Sequence, residues 1–505
     1  MYVVFVCVML QRLRQTLVLL LFLLLPFHAF FVTVGTKLIL GPGHPPLPYL
    51  AVWKELLMVV IFVIGILEIA TYKVFPRYFQ YMNILNVGQR ETMRMRWKAD
   101  TSTILIITLF VLALVIQIPN SHFPIPISQL VFGFKYLFLP LIFFLLLKNL
   151  SWDEDFLERK VFPGLLFVSG IVAACGILTY FLPQSFFTAL GYSDAHSLYS
   201  PDAPLSAFQQ IAGIGIRRIQ GTFAGPNQLG LWLLLPWSIS LVFLLRGKNQ
   251  ELRIRNQEYL NSYFFIHNSF LRFVCLLFLA IVLFLTFSRA AWIGAGVILI
   301  LACFLLLQRR TRIIVCSFFV CSFFVAIVAL ALTAPQLLLK GISSGQHLQR
   351  MQEGVAAILE QPLGRGLGSA GPASNRLQDA CVYFPDGADT SWARSRNDLC
   401  IFVGDAQVQP LLTERTCACA FLPENWYVQV GVELGILGLV LFVALVVFIL
   451  RSLLLQPTTY NLQPFLAFLG ISIAALFLHA WEDSAVAYTV WALAGITLGN
   501  KGVKE

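Results

Sequence analysis

The sequence predicts an all-α, polytopic integral membrane protein, and three observations support this class. Hydrophobic residues make up 58% of the chain, charged residues only 12%, and the mean hydropathy is +0.79. One soluble core could not bury so many apolar side chains. The apolar runs are also continuous over about 15 to 22 residues, which is the length of a membrane-spanning helix. Barrel strands would instead alternate apolar and polar residues.

Run length predicts about twelve transmembrane helices. They cover residues 17–34, 53–71, 102–118, 130–147, 162–182, 228–245, 271–287, 290–307, 313–333, 426–450, 464–480 and 485–499. The first run resembles a signal peptide but is followed by no small-residue cleavage site, so we expect a retained helix.

The chain is expected to divide into three parts. Residues 1–333 hold the first nine of the roughly twelve predicted helices, with an outer loop near 183–227. Residues 334–425 form a large extracytoplasmic loop, and 426–505 hold the last three helices. Loops of this size usually carry function or lack order.

Lysine and arginine residues predict the orientation. Most of them lie in loops on one side of the predicted helices, which the positive-inside rule assigns to the cytoplasm together with both termini. The net charge of +10 is then a consequence of topology, and it indicates no nucleic-acid partner.

The large loop shows two features. It begins with an amphipathic pattern at Leu348, Met351, Val355, Ile358 and Leu359, which predicts a helix along the membrane surface. It also contains four cysteines: Cys381, Cys400, Cys417 and Cys419. An oxidising compartment favours one or two disulfides, and we expect Cys417 or Cys419 to reach back to Cys381 or Cys400. Unpaired thiols are the alternative.

Charged residues far apart in the sequence are predicted to meet at the outer membrane face. They are Arg217, Arg218, Arg289, Glu424, Glu482, Asp483, Lys54, Glu55 and Lys135. Arg289 interrupts two apolar runs at a cost of about 2.5 to 3.5 kcal/mol on insertion scales. The guanidinium fork suits a diphosphate, so Arg289 and Arg218 are candidates to bind a phosphorylated lipid.

Plainer roles are open for several of these residues. Arg289 could be a snorkelling structural arginine, Arg218 a solvated loop residue, and Lys135 the partner of a neighbouring helix residue. Glu482 and Asp483 would position an acceptor or cap the last helix.

The segment PENWYVQVGVELGILGL, residues 423–439, places Gln429 and Glu433 four positions apart on one helical face. That face is expected to look into the protein rather than into lipid. Glu433 either contacts substrate or ties helices together. Glu424 lies just before this helix and is the candidate base that removes a proton from an acceptor hydroxyl.

Four motifs occur in order: RIQGTFAGPNQLG, TFSRAAWIG, PLGRGLG and ENWYVQVGVELGILGL. Together they resemble the O-antigen ligase and O-antigen polymerase family of membrane glycosyltransferases, from about Arg218 to Val440. The WKELL segment from Trp53 to Leu57 is similar too. The resemblance implies a GT-C-like, metal-independent, inverting enzyme without a cofactor. It implies Arg218 and Arg289 as the two arginines of the family.

The same resemblance implies the substrates and the compartment. Such enzymes, in the bacterial inner membrane, take a glycan from undecaprenyl diphosphate at the outer leaflet. They pass it to a hydroxyl of a glycan, lipid or protein, with a possible chain-length regulator as partner. Catalytic candidates are Glu424 and Arg289. Substrate-binding candidates are Arg218, Arg217, Lys135, Lys54, Asn425 and Glu433.

One position departs from the family pattern. Related ligases commonly have histidine before the Asn of HNxYLQ, where this chain has Glu424. A carboxylate can still act as the base, so ligase and polymerase both stay open. The alternative class is a transporter or flippase, which predicts inverted repeats and charges near the bilayer midplane. A catalytically silent scaffold is a third possibility, in which the arginines would be dispensable.

Overall fold

The computed structural model describes a mostly helical chain. The described ranges are 2–74, 100–117, 126–153, 155–193, 204–210, 216–245, 269–312, 341–376, 381–384, 399–404, 406–410, 417–455 and 461–499, together with a few single residues.

The helices and strands follow in chain order. The helices are α1 (Tyr2–Leu24), α2 (His28–Leu40), α3 (Pro48–Ala51), α4 (Trp53–Val74), α5 (Thr101–Gln117), α6 (Ile127–Lys148), α7 (Phe162–Phe181), α8 (Gln184–Ala189), α9 (Pro226–Leu245), α10 (Ser269–Leu285), α11 (Arg289–Leu306), α12 (Gly341–Glu360), α13 (Gly371–Asn375), α14 (Trp426–Leu455), α15 (Leu462–Ala474) and α16 (Ser484–Gly499). The strands are β1 (Gln209–Gln210), β2 (Arg217–Arg218), β3 (Cys381–Phe384), β4 (Cys400–Val403) and β5 (Ala406–Gln409).

The helical membrane class predicted from composition is confirmed. Within the described ranges, 6 helical segments are long and apolar enough to cross a membrane: Val6–Leu40, Ile127–Lys148, Leu157–Phe181, Pro226–Leu245, Arg289–Leu306 and Trp426–Leu455. Shorter apolar helices are Thr101–Gln117, Phe270–Leu285, Leu462–Ala474 and Ser484–Gly499. The predicted helix at 313–333 lies almost entirely outside the described ranges. The total of about twelve and the GT-C type therefore stay predictions.

The first predicted helix, 17–34, is too short. The apolar segment runs from Val6 to Leu40, with a 3-10 turn at Leu25–Phe27 where Pro26 lies at the start of the turn. Proline lacks a backbone N–H and therefore interrupts the α-helical hydrogen-bond ladder. The hydroxyl of Thr222 donates to the Pro26 carbonyl at 2.7 Å, which ties this turn to the segment before α9.

Three helices pack closely with defined directions. Leu234 of α9 contacts the Gly294 position of α11, and Gly230 lies beside Ala291, so these two helices run parallel. In α15, Gln463 accepts a bond from Ser238 while Gly470 lies against Gly294, so α15 runs antiparallel to both. The starts of α9 and α11 therefore lie at the same end of the bundle as the last turn of α15.

The start of α14 joins this end. The Trp426 amide donates to the Ala475 carbonyl at 3.0 Å, just beyond the last turn of α15. Arg289, which begins α11, and Glu424, which lies two residues before α14, thus lie at one end of the helices. We call this the site end.

Other cations lie at the opposite end. Lys148, the last residue of α6, pairs with Asp100 before α5. Arg14 and Glu68 form a fully buried ion pair at 2.8 Å, and Arg14 also donates to the Ser151 carbonyl, close in sequence to Lys148. Lys148 and Arg14, both predicted to lie at or next to the cytoplasmic side, thus lie away from the site end, whereas the direction of the chain across the bilayer stays a prediction.

Two disulfides staple the large loop. Cys381 pairs with Cys419 and Cys400 pairs with Cys417. The expectation that one of the closely spaced cysteines reaches back is confirmed, and both of them do. Strand β4 pairs in parallel with β3 and antiparallel with β5, so the disulfides hold a three-stranded sheet.

A break in α14 anchors the glycine-rich turn PLGRGLG. Gly435 has φ +70° and ψ −173°, which interrupts the helix. The carbonyls of Val432 and Glu433 accept from the amides of Arg365 and Gly366 at 2.8 and 3.0 Å, and Ile436 donates to Pro362 at 2.9 Å. The loop thus satisfies backbone groups that the break exposes.

Candidate functional site

Arg218 is held against the turn that precedes Arg289. In the β1–β2 pair, Arg218 lies opposite Gln209. The Arg218 guanidinium donates to the Thr286 carbonyl at 3.0 Å and to the Asn227 side-chain oxygen at 2.7 Å. Burial, with a further contribution from the charge of Arg289, lowers the pKa of Arg218 to about 10. The fold therefore brings together the two arginines that the motifs single out.

Arg289 combines a side-chain charge with a helix start. It is the exposed first residue of α11, and Phe287 before it has φ +49°. The first N–H groups of a helix have no partner within the helix and carry partial positive charge. A guanidinium beside them makes this end of α11 a favourable place for an anion.

Arg217 points elsewhere. Its guanidinium donates to the Leu182 carbonyl at 2.7 Å and the Tyr180 carbonyl at 3.3 Å, and it lies 4.2 Å from the centre of the Phe208 ring. Adjacent residues in a strand face opposite sides. These contacts satisfy the carbonyls at the end of α7, and they indicate a structural role.

Glu424 lies against two side chains of α12. Its carboxylate forms an ion pair with Arg350 and contacts the His347 ring, one helical turn away. Glu424 has φ +51°, a backbone conformation that residues other than glycine adopt rarely. The side chain is 19% exposed. The carboxylate is therefore oriented by its neighbours and still accessible.

His479 supports the Glu424 backbone. The Glu424 amide donates to His479 Nε2 at 3.1 Å, and His479 Nδ1 lies 2.7 Å from the Gln429 side-chain oxygen. Burial, reinforced by the charge of Arg350, lowers the pKa of His479 to about 3. A neutral ring that accepts at Nε2 and donates at Nδ1 fits both contacts.

The side chains of Asn425 and Glu433 form hydrogen bonds within the protein. The side-chain oxygen of Asn425 accepts from the amides of Tyr427 at 2.9 Å and Val428 at 3.1 Å, which caps the start of α14. Glu433 is buried and accepts from the Gly368 amide at 3.2 Å. These contacts favour the plainer reading of Glu433, which ties α14 to the glycine-rich turn.

Lys54 and Lys135 line a cavity of about 640 Å³ at the site end. Lys135 lies 2.7 Å from Glu55 of α4. Lys54 is buried, with its ammonium 2.7 Å from His28 Nε2 and 2.9 Å from the Ala51 carbonyl. Lys135 thus pairs with a residue of a neighbouring helix, which was the alternative interpretation of the sequence. Both Lys54 and Lys135 line the same chamber.

The cavity adjoins the arginine turn. Gln209 lines it and also accepts from Arg218 at 3.3 Å. Its wall includes residues that sequence reasoning did not single out as ligands: Arg376, Asn375, Gln228, Tyr136 and Tyr488. Arg376 donates to the Tyr136 hydroxyl at 2.5 Å. In the sequence, Arg376 could have been noticed as the first cation after the glycine-rich turn.

The two acidic residues before the last helix, Glu482 and Asp483, make different contacts. Asp483 caps α16, because its carboxylate accepts from the amides of Ala485 at 2.8 Å and Val486 at 3.3 Å. Glu482 makes no such contact and faces the cavity. Asp483 therefore has the capping role that the sequence suggested, and acceptor positioning by Glu482 stays a prediction.

Within the described part of the chain, one group has metal-ligand spacing: Asp379, Cys400 and Cys417. Cys400 and Cys417 are joined in a disulfide and offer no thiolate. Thiolates rather than disulfide sulfurs bind metal. This group therefore does not fit a metal ion.

The fold and the site define a helical membrane protein that gathers cations, acids and a chamber at one end of its bundle. Residues 274–391 match the family described as O-antigen ligase. The resemblance predicted from the motifs is confirmed over this segment, which contains Arg289, α12 and the glycine-rich turn. No curated protein matches the chain. The match and the helical fold support a membrane glycan-processing enzyme.

Proposed function

We propose that the chain is an inverting, metal-independent membrane glycosyltransferase. Its donor is a glycan on undecaprenyl diphosphate, reached from the outer leaflet of the bacterial inner membrane. Its acceptor is a hydroxyl of a glycan, lipid or protein. The reaction either ligates a finished glycan or extends a polymer, in which case a chain-length regulator is the expected partner.

The observation that carries this proposal is the meeting of Arg218 and Arg289 beside the start of α11. These side chains lie 71 positions apart in sequence, yet the 286–288 turn holds one next to the other. Cleavage of a sugar–diphosphate bond builds negative charge on the leaving oxygens. Fixed guanidinium groups and helix N–H groups stabilise that charge where it develops.

Glu424 supplies the base. The acceptor oxygen attacks the anomeric carbon, its proton passes to the Glu424 carboxylate, and the bond to the diphosphate breaks with the electron pair staying on the diphosphate. Attack from the face opposite to the leaving group inverts the configuration. His347 and Arg350 hold the carboxylate in one orientation. This lowers the entropic cost of positioning the base for reaction.

Replacement of Glu424 tests the base. Glu424→Gln keeps the size of the side chain but cannot accept the proton, so we expect a loss of about 10²-fold or more in transfer. The measurement is the amount and length of surface polysaccharide in cells that lack the native copy and express each variant at equal level.

The matched control is Glu353→Gln, which changes an exposed glutamate of α12 outside the site. It is expected to behave as the unmodified chain. Polysaccharide output from Glu424→Gln that equals this control would contradict the assignment of Glu424 as the base.

A further inference from the structure

Three polar side chains on the cavity wall lack partners. Gln228 lies near the start of α9, Asn375 ends α13, and Glu482 lies between α15 and α16. None of their side chains makes a hydrogen bond or ion pair with any residue in the described ranges. Their donors and acceptors are therefore accessible to a ligand that has several hydrogen-bonding groups of its own.

The chemistry of the wall favours a sugar. Two amides and a carboxyl group offer both donors and acceptors, which matches hydroxyl groups. The rings of Tyr136, Trp481 and Tyr488 also line the chamber but are buried, so the polar groups provide the bonding surface. A chamber with a few placed polar groups is typical of small-molecule sites.

The chamber carries charges of both signs. The cations Lys54, Lys135 and Arg376 line it together with the acids Glu482 and Asp483, and Lys135 is paired with Glu55. Burial raises the pKa of Glu482 to about 8, so near neutral pH this group carries a proton and can donate as well as accept. An uncharged polyol can form hydrogen bonds with groups of either sign.

We infer that this cavity binds the sugar residues of a glycan substrate, separately from the diphosphate at Arg218 and Arg289, through Gln228, Asn375 and Glu482. The inference rests on the proposed function and assigns the saccharide part of that reaction to a defined chamber. Gln209 connects the two places, because it lines the chamber and bonds Arg218.

A binding experiment with two probes separates the chamber from the arginines. The full-length chain is purified in lipid nanodiscs. The probes are the free oligosaccharide released by mild acid from the surface polysaccharide of the cells that make the protein, and farnesyl diphosphate. Calorimetry measures the affinity of each probe for the unmodified chain and for each variant at pH 7.

We expect Gln228→Ala, Asn375→Ala and Glu482→Ala each to weaken oligosaccharide binding by about fivefold or more, the effect of one lost hydrogen bond. Farnesyl diphosphate binding should be unchanged, which also shows that these variants fold. Glu482→Gln should retain oligosaccharide binding, because an amide both donates and accepts. Arg289→Ala should show the reverse pattern.

The inference is overturned if the unmodified chain does not bind the oligosaccharide, or if all three alanine variants bind it normally. Equal loss of both probes in the alanine variants would also overturn it. Failure of the proposed function looks different: farnesyl diphosphate binding would then be insensitive to Arg289→Ala, while the oligosaccharide pattern would remain.

Discussion

Two glutamates at the site end show how surroundings decide the behaviour of one residue type. Glu424 forms an ion pair with Arg350 and contacts the His347 ring. Glu482 has no ion-pair partner among the described residues, and its burial favours the protonated form. Opposite charges and desolvation act in opposite directions on a carboxyl group. Glu482 is therefore suited to donate a hydrogen bond near neutral pH.

The raised pKa of Glu482 predicts how stability depends on pH. Its pKa is about 8 in the folded chain against an ordinary value of 4.5, so the folded state binds the proton more tightly. Stability from this group is full below pH 4.5 and is lost as pH rises through about 8. Glu482→Gln should therefore melt at a higher temperature than the unmodified chain at pH 9, with little difference at pH 5.

Thermal unfolding in detergent at the two pH values measures this effect. Glu353→Gln, which removes an exposed carboxylate, serves as the control and should leave the pH dependence unchanged. The pKa of neighbouring Asp483 is also raised by burial, so some pH dependence should persist in Glu482→Gln. A melting temperature for Glu482→Gln that follows the unmodified chain at both pH values would contradict the prediction.

At the scale of elements, the break in α14 determines the position of the glycine-rich turn. Gly435 adopts a positive φ, and a Cβ at Gly364 would lie 2.6 Å from the Glu433 carbonyl oxygen. Only a residue without a side chain allows the two backbones to come so close. The glycine-rich turn leads into α13, which ends at Asn375. The break in α14 therefore helps to position this part of the chamber wall.

Gly435→Ala should therefore destabilise the chain by more than about 1 kcal/mol and reduce activity, because alanine is strained at positive φ and clashes with the turn. The melting temperature and polysaccharide output are the measurements. The control is Gly296→Ala in α11, where a Cβ would meet no atom within 4 Å. The prediction is wrong if the two variants have the same melting temperature.

At the scale of the whole molecule, the fold gathers distant residues at one end. Helices α9 and α11 start there, α15 ends there, and α14 starts there. The turn before Arg289 and the segment around Glu424 need this antiparallel arrangement to lie on the same side of the bundle. The placement of the proposed reaction at one membrane face depends on it.

Accessibility labelling checks this arrangement. Glu353→Cys lies on α12 at the site end, and Arg451→Cys lies near the opposite end of α14; both positions are exposed. A membrane-impermeant thiol reagent should label Glu353→Cys in intact cells and Arg451→Cys only after permeabilisation. The unmodified chain gives the background from its own cysteines. Labelling of both variants in intact cells would contradict the topology.

Residues that belong to linear motifs were predictable. Arg218 and Arg289 each stand in a motif, and the predicted helix ends placed both at one face; the fold brings them to one turn, while their role stays a prediction. Two neighbours were harder to judge. Arg217 adjoins Arg218 but faces the other side of the strand, and Asn425 adjoins Glu424 but caps the helix. Adjacency in sequence does not specify side-chain direction, which depends on the secondary structure around it.

The sequence by itself determined the helical membrane class and the helix before the glycine-rich turn. These properties are local, because hydropathy, charge and periodicity act within one segment. Only the tertiary structure decided which polar groups share a chamber. Gln228, Asn375 and Glu482 are ordinary polar residues in three separate segments. Their common role depends on helix packing, which brings together residues whose sequence neighbourhoods carry no sign of one another.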